Sequence, residues 1–260
     1  MRGDVYDVPL ALPGTANSRL CHHAFSVASE EYIAANGATI LISSTTGSRG
    51  QVRPPFAFFI ADPTLYRHEQ GRAFDVSRPI TPTLLAVKSL PQLPARVGTV
   101  GDGFFTGAGC RKGYGALDAL SVQLQLPARM SALAKLFSRP RDVAKEALRR
   151  PVHAERLSVW RIHGDAGLWV VVSNDKNNCT TGFVLGLKLQ ETPAPFPQTA
   201  LEQADHSMKM EAFLGPVLRV LQLPSGGLAL PDTLSTRVGK INPSGATRID
   251  AHLEAALGLP

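Results

Sequence analysis

Hydrophobic and polar positions alternate most regularly between residues 157 and 189. Two apolar runs, LSVWRIH and LWVVVS, flank the four-residue segment Gly164-Asp165-Ala166-Gly167, which has glycine at both ends as hairpin loops often do. A polar loop then precedes a third alternating run, TTGFVLGLKL. The pattern therefore predicts a three-stranded antiparallel β-meander over 157–189.

Elsewhere the pattern mixes helical and strand periods. Strands are predicted at 38–44, 56–61 and 83–88, and helices within 24–37 and at 116–126, 130–137, 199–214 and 248–257. Such a mixture predicts an α+β fold with a mostly antiparallel sheet and helices packed on one face. We predict a mixed core over 1–197 and a helical C-terminal segment over 198–260 packed on the same core. No internal repeat is evident from the sequence.

Composition narrows the class of protein. The chain has 260 residues, a formal net charge of +6 and three widely separated cysteines, an odd number that argues against a disulfide framework. The N-terminal apolar run is too short for a secretory signal, and no apolar window is long enough to cross a bilayer. We expect an intracellular, reducing compartment, most simply the cytoplasm. The oligomeric state is left open.

The positive charge is concentrated in one segment. Residues 128–150 contain seven cations and two anions, a local net charge of +5. A localised positive field favours a negatively charged partner, so we predict that this segment docks an acidic protein surface or anionic lipid. Nucleic acid is not favoured as a partner, because the segment lacks interleaved aromatic residues. The partner-binding cations would be Arg129, Lys135, Arg139, Arg141, Lys145, Arg149 and Arg150.

Residues 97–118 form the most unusual stretch of the chain, with seven glycines in 22 positions. Glycine allows positive φ and close backbone approach, so this density predicts a tightly folded loop. Cys110 lies in the loop beside Arg111 and Lys112, and neighbouring cations lower the pKa of a thiol. A reactive thiolate and an ordinary structural thiol are the two interpretations, and the sequence favours the second.

The order Gly101-Asp102, Gly107, Gly109 and Gly113, followed by an apolar helix start, resembles the second flavin-contacting motif of flavin-dependent hydroxylases. The resemblance covers about twenty residues. It implies a flavin cofactor, with Asp102 reaching the ribityl chain and the region of Gly113 approaching the isoalloxazine. The G-x-G-x-x-G fingerprint that those enzymes use for the pyrophosphate is absent from this sequence.

Other candidate ligands do not form a recognisable site. Cys21, His22 and His23 are adjacent, but neighbouring side chains of an extended segment point to opposite faces, so no metal site is predicted. The asparagine-rich loop at 174–178 is predicted to be a turn rather than a calcium site. No catalytic residues are identified, and whether the chain is an enzyme is left open. We predict a non-catalytic interaction or assembly protein. The alternatives are a flavin- or nucleotide-dependent oxidoreductase using 101–115 and a membrane-surface or membrane-disrupting protein.

Overall fold

The computed structural model describes residues 1–9, 21–44, 56–126, 154–175, 178, 181–207, 212–223 and 231–259. Within them lie twelve strands and four α-helices. The strands are β1 Asp4–Pro9, β2 Cys21–Ser26, β3 Ala38–Ser44, β4 Tyr66–His68, β5 Ile80–Ser89, β6 Arg96–Val100, β7 Ser158–Ile162, β8 Asp165–Val171, β9 Phe183–Gln190, β10 Ala200–Leu201, β11 Ala212–Gln222 and β12 Leu234–Lys240. The helices are α1 Glu30–Asn36, α2 Asp102–Thr106, α3 Ala116–Leu124 and α4 Pro243–Leu257.

All twelve strands belong to one sheet. Its order is β12-β7-β8-β9-β11-β5-β3-β2-β1-β6-β4, and β10 pairs with β11 off this path. Every strand pair is antiparallel. The structure therefore confirms the predicted α+β fold with an antiparallel sheet.

The predicted meander is formed by β7, β8 and β9. Its first turn is shorter than the sequence suggested, because Ile162 already pairs with Asp165 and leaves only His163 and Gly164 in the loop. Gly164 has a φ of +82°, which suits a two-residue hairpin. The second glycine, Gly167, instead lies inside β8, where its N–H donates to Asp165 Oδ1 over 2.7 Å.

The helix predicted over 199–214 is wrong. Residues 200–201 and 212–222 are strands, a 3-10 turn occupies 203–205, and 208–211 lie outside the described residues. The strand β11 lies between β9 and β5 in the middle of the sheet. Its pairing with distant strands outweighs the local helical pattern, which is how tertiary context commonly overrides propensity. The strand predicted at 56–61 is reduced to isolated bridges at Phe58 and Ile60.

Other boundaries follow local signals. The Ser29 hydroxyl accepts a hydrogen bond from the Tyr32 N–H over 3.1 Å and so caps α1. Gly37, with a φ of +56°, ends that helix, and Gly258, with a φ of +61°, ends α4. The two glycines are why the C-terminal ends of these helices could be predicted from the sequence, whereas α4 begins at Pro243, before the predicted start at 248.

One face of the sheet carries the main core. Buried side chains from its strands, such as Phe25, Ile40 and Leu187, share one cluster with Tyr32 of α1, Phe104 of α2, Leu120 of α3 and Leu253 of α4. Side chains on the opposite sheet face form separate clusters, one around Tyr6 and Leu41 and another around Trp160 and Trp169. The helices therefore pack on one face, as predicted. None of the helices in the described ranges is long and apolar enough to cross a membrane.

Candidate functional site

The glycine-rich loop connects β6 to α3 and packs against itself. A Cβ on Gly107 would lie 2.5 Å from the Gly113 carbonyl oxygen, and one on Gly115 would lie 2.4 Å from the Phe104 carbonyl oxygen. Both distances are shorter than real Cβ contacts, so the backbone segments can approach this closely only because these positions lack side chains. The internal packing of the loop accounts for much of its glycine content.

The residues of the flavin comparison lie around α2. Asp102 is the exposed first residue of that helix, and Gly107 ends it with a φ of +89°. Gly109 has a φ of +86° and its carbonyl accepts hydrogen bonds from the N–H groups of Ala61 and Asp62. Gly113, with a φ of +69°, has open space where a Cβ would be. Flavin binding at these positions stays a prediction.

Cys110 is a buried thiol within this loop. Its residue exposure is 7%, and its Sγ lies 3.7 Å from the Gly103 carbonyl oxygen. Burial and, to a smaller extent, the charge of Asp118 raise the pKa of this thiol to about 11. The reactive-thiolate interpretation is therefore wrong, because desolvation outweighs the adjacent cations.

The predicted docking cations of 128–150 lie outside the described residues. Among the loop amides, Asn174 Nδ2 donates to the Val122 carbonyl over 2.6 Å, and Asn178 Nδ2 donates to the Ala154 carbonyl over 2.8 Å. These bonds hold backbone segments together. The stretch is helical and not the predicted turn, because Asp175, Asn178 and Thr181 have helical conformation and the Asn178 N–H donates to the Asn174 carbonyl. No cluster of three or more potential metal ligands occurs within the described ranges.

One polar pair on the sheet is formed by Asp7 and His23. These residues are direct partners across β1 and β2, and His23 Nδ1 lies 2.5 Å from Asp7 Oδ1. The side chains are partly accessible, 24% for His23 and 45% for Asp7. An imidazole held by a carboxylate and reached by solvent is the arrangement of a general acid–base catalyst.

The carboxylate fixes which nitrogen of His23 carries the proton. An ionised carboxylate only accepts hydrogen bonds, so neutral His23 donates its Nδ1–H to Asp7. Its Nε2 is then the basic nitrogen, and no hydrogen bond to Nε2 occurs within the described part of the chain. Asp7 therefore orients a ring whose other nitrogen can accept a proton from a bound molecule.

Aromatic side chains hold the imidazole from the other side. The His23 ring stacks on Tyr66 with centroids 5.8 Å apart and an interplanar angle of 25°, and it lies 5.9 Å from Phe74. Tyr66 is 6% exposed, and burial followed by the charge of Asp7 raises its pKa to about 12. Its hydroxyl has no hydrogen-bond partner within the described residues. The cluster thus contains a buried O–H beside the acid–base pair.

A pocket of about 360 Å³ shares Asp7 with the pair, but Val8 and Leu93 in its lining belong to the cluster around Tyr6 and Leu41 on the opposite face of the sheet. It is lined by Asp7, Val8, Lys88, Gln92, Leu93 and Pro94. Lys88 comes from β5, and the segment 90–94 leads from the end of β5 towards β6. The pocket combines a carboxylate, an ammonium group, an amide and apolar walls, which are the ingredients of a site for a polar organic ligand.

Sequence reasoning missed this site. His23 was considered only with Cys21 and His22 as a metal ligand, and Asp7 was not considered. Period-two alternation in DVYDVP places Asp7 on the same face as Val5, where a charged side chain among core positions could have been noticed. Its pairing with His23 depends on the β1–β2 register, which the sequence does not give.

Comparisons with known proteins find similarity to solved structures. No protein-family model matches the chain, and no curated protein matches it. Among solved structures, the chain is similar to an endoribonuclease from Mycobacterial species, with 25% identity over 42% of this chain and 95% of that chain and a TM-score of 0.33. A second is an endoribonuclease in complex with its cognate antitoxin from Mycobacterial species, with 24% identity over 42% of this chain and 96% of that chain and a TM-score of 0.33.

Both similar structures are enzymes. This finding overturns the prediction that the chain is a non-catalytic docking protein.

Proposed function

We propose that this chain is a ribonuclease that cleaves RNA by acid–base catalysis at Asp7 and His23. The observation that carries the proposal is the hydrogen-bonded pair itself, which leaves a proton-accepting nitrogen on His23. The intracellular location predicted from the sequence is compatible with an RNA substrate and stays a prediction.

RNA suits this set of groups because its 2′-hydroxyl is a nucleophile already held next to the phosphate. His23 Nε2 takes the proton of the 2′-hydroxyl, and the O2′ attacks the adjacent phosphorus. The bond from phosphorus to O5′ breaks, and the leaving oxygen takes a proton from water. The products are a 2′,3′-cyclic phosphate and a 5′-hydroxyl. Asp7 stabilises the imidazolium that forms on His23.

The pocket supplies the groups that a nucleotide needs. Lys88 offers a cation to an RNA phosphate away from the bond that is cleaved, and its ammonium group makes no ion pair with any described residue. Gln92 offers an amide to a base or sugar, and Leu93 and Pro94 offer apolar surface. The net charge of +6 also favours a polyanion. The proposal departs from the sequence prediction that nucleic acid is not favoured.

The test is a cleavage assay on a mixed-sequence single-stranded RNA, with the same sequence as DNA for comparison. We expect RNA cleavage with 2′,3′-cyclic phosphate ends and no cleavage of the DNA, which lacks the nucleophile. His23→Asn should lower kcat by about 10²- to 10⁴-fold, the usual contribution of a general base. Asp7→Asn should lower it as well, because the amide no longer fixes the reactive tautomer.

A matched control is His163→Asn, which removes an exposed histidine in the turn between β7 and β8. Its kcat should stay within about twofold of the wild type, a change of under about 0.4 kcal/mol in activation free energy. The proposal is wrong if RNA is cut equally well by the wild type and His23→Asn, or if DNA is cut at the same rate.

A further inference from the structure

The strands on the two sides of the centre of the sheet are arranged in the same order relative to the chain. On one side of the β11–β5 junction the order is β11, β9, β8, β7 and β12, and on the other it is β5, β3, β2, β1 and β6. In each set the first three strands in chain order pair with one another in sequence. The fourth strand of the set pairs with the third, and the last strand pairs with the first. The two halves of the chain therefore share one topology.

The residue register is also the same in both halves. In the first half, Val5 pairs with Gly98 and Tyr6 pairs with Arg96, with a bulge between them. In the second half, Val159 pairs with Gly239 and Trp160 pairs with Arg237, again with a bulge. The bulged strands carry similar sequences, RVGTV at 96–100 and RVGKI at 237–241. Bulges are specific features of a fold, so this match is strong support for a common origin.

The surrounding elements repeat as well. A 3-10 turn at 63–65 leads to Tyr66, which pairs with Val100, and a 3-10 turn at 203–205 leads to His206, which bridges to Ile241. A helix of at least nine residues comes after the last strand of each half, α3 in the first and α4 in the second, although the short helix α2 intervenes in the first half. The glycine-rich loop separates β6 from α3 but has no counterpart between β12 and α4.

The junction of the halves lies on a two-fold axis. Paired residues across neighbouring strands form one row in each half. In the first half the row is Val5, Phe25, Ile42 and Leu85. In the second half the equivalent row is Val159, Val170, Leu187 and Leu218. By the same path Ala86 corresponds to Arg219, and these two residues are the partners that join β5 to β11. Equivalent positions that pair with each other are the signature of an isologous, two-fold contact.

We infer that the chain is an internal duplication whose two copies face each other across a two-fold axis, and that only the first copy retains the acid–base pair. One chain thus contains two copies of the same strand arrangement, which in a two-fold dimer would come from two subunits. The boundary between the copies lies after α3 and before β7, whereas the boundary predicted from the sequence was at 197. The repeat is not evident from the sequence because few equivalent positions besides RVG are identical.

The single-centre part of the inference follows from the equivalent positions and rests on the proposed function. Asp7 corresponds to Arg161, and His23 corresponds to Leu168, the partners at the same place in the β7–β8 register. Tyr66 corresponds to His206. A guanidinium and an aliphatic side chain cannot form the carboxylate–imidazole pair. The second copy therefore serves as the structural partner of the first.

The duplication is tested without any activity by a disulfide across the axis, in the double variant Ala86→Cys/Arg219→Cys. We expect oxidation to link Cys residues introduced at these positions within one chain, so that the product keeps the 27.8 kDa mass on a non-reducing gel. Peptide mapping should show that the disulfide joins positions 86 and 219 and does not involve a native cysteine. The single variants Ala86→Cys and Arg219→Cys are the controls and should give no such bond. A disulfide-linked dimer of the double variant, or of either single variant, would show that β5 pairs between chains and would overturn the inference.

The single centre is tested by comparing His23→Asn with Arg161→Asn in the RNA assay. We expect a loss of at least about 100-fold for the first and a change within about twofold for the second. A comparable loss for Arg161→Asn would overturn the single-centre part. If His23→Asn cleaves like the wild type while the disulfide forms within the chain, the proposed function fails and the duplication stands.

Discussion

Replacing Gly107 by alanine tests the explanation of the glycine-rich loop. The added Cβ would lie 2.5 Å from the Gly113 carbonyl oxygen and 2.7 Å from the Tyr114 Cα. Both are backbone atoms, so no side-chain rotation can relieve the contact. Gly107 also has a φ of +89°, a conformation that alanine adopts only at a cost.

The size of the effect follows from these two terms. A left-handed conformation costs an alanine about 1–2 kcal/mol, and forcing an atom into packed structure costs about 1–3 kcal/mol. We therefore expect Gly107→Ala to lower the free energy of unfolding by about 2–5 kcal/mol. Gly101→Ala is the matched control, since Gly101 has a φ of −81° and nothing within 4 Å of its Cβ position. That change should stay below about 1 kcal/mol.

The assay is urea unfolding followed by circular dichroism, with the midpoint and the m-value fitted for each variant. The loop explanation predicts a clearly lower midpoint for Gly107→Ala at an unchanged m-value. Equal midpoints for Gly107→Ala and Gly101→Ala would refute it, because the steric and conformational terms act only at the first position.

Three further predictions concern buried groups. Cys110 should not react with a thiol reagent at pH 8 in the native state, because burial raises its pKa to about 11. The wild type and Cys110→Ser should therefore show the same number of fast-reacting thiols. One fast-reacting thiol fewer in the variant would contradict this. His252 is held neutral by burial, which lowers its pKa to about 4, with Nε2 3.2 Å from the Gly215 carbonyl oxygen. The neutral ring contributes fully to the free energy of unfolding above pH 6.5, the ordinary pKa of histidine in the unfolded chain, and this contribution is lost as the pH falls towards 4. Over this range the wild type should lose about 3 kcal/mol more free energy of unfolding than His252→Gln. Parallel pH profiles of the two proteins would contradict this. Arg156 pairs with Asp250 and also donates from Nε to the Leu124 carbonyl over 3.1 Å, so Arg156→Met should cost about 3–5 kcal/mol in urea unfolding, while a loss under about 1 kcal/mol would show that the pair contributes little.

Local patterns of the sequence predicted the elements whose causes are local. The meander followed from alternation around a glycine turn, and α1 and α4 ended at Gly37 and Gly258 because these residues adopt positive φ. The density of glycine correctly indicated a tight loop. Its internal packing could not be predicted, since it depends on Gly107 meeting Gly113 in space.

The candidate site and β11 were missed because their causes are distant in sequence. Asp7 and His23 are 16 residues apart and meet only through the register of β1 and β2. The apolar positions of 212–222 fit a helix as well as a strand until β9 and β5 supply hydrogen-bonding partners on both sides. The cations beside Cys110 in the sequence lower the pKa of a thiol, whereas its burial, which depends on packing and not on its sequence neighbours, raises the pKa.

The measurement that tests the central claim most directly is the rate of RNA cleavage by the wild type and by His23→Asn, followed by identification of the product ends. The account predicts 2′,3′-cyclic phosphate ends from the wild type and a rate at least about 100-fold lower for the variant, with the fold unchanged by circular dichroism. An equal rate for both proteins, or no cleavage of any RNA by the wild type, would contradict it.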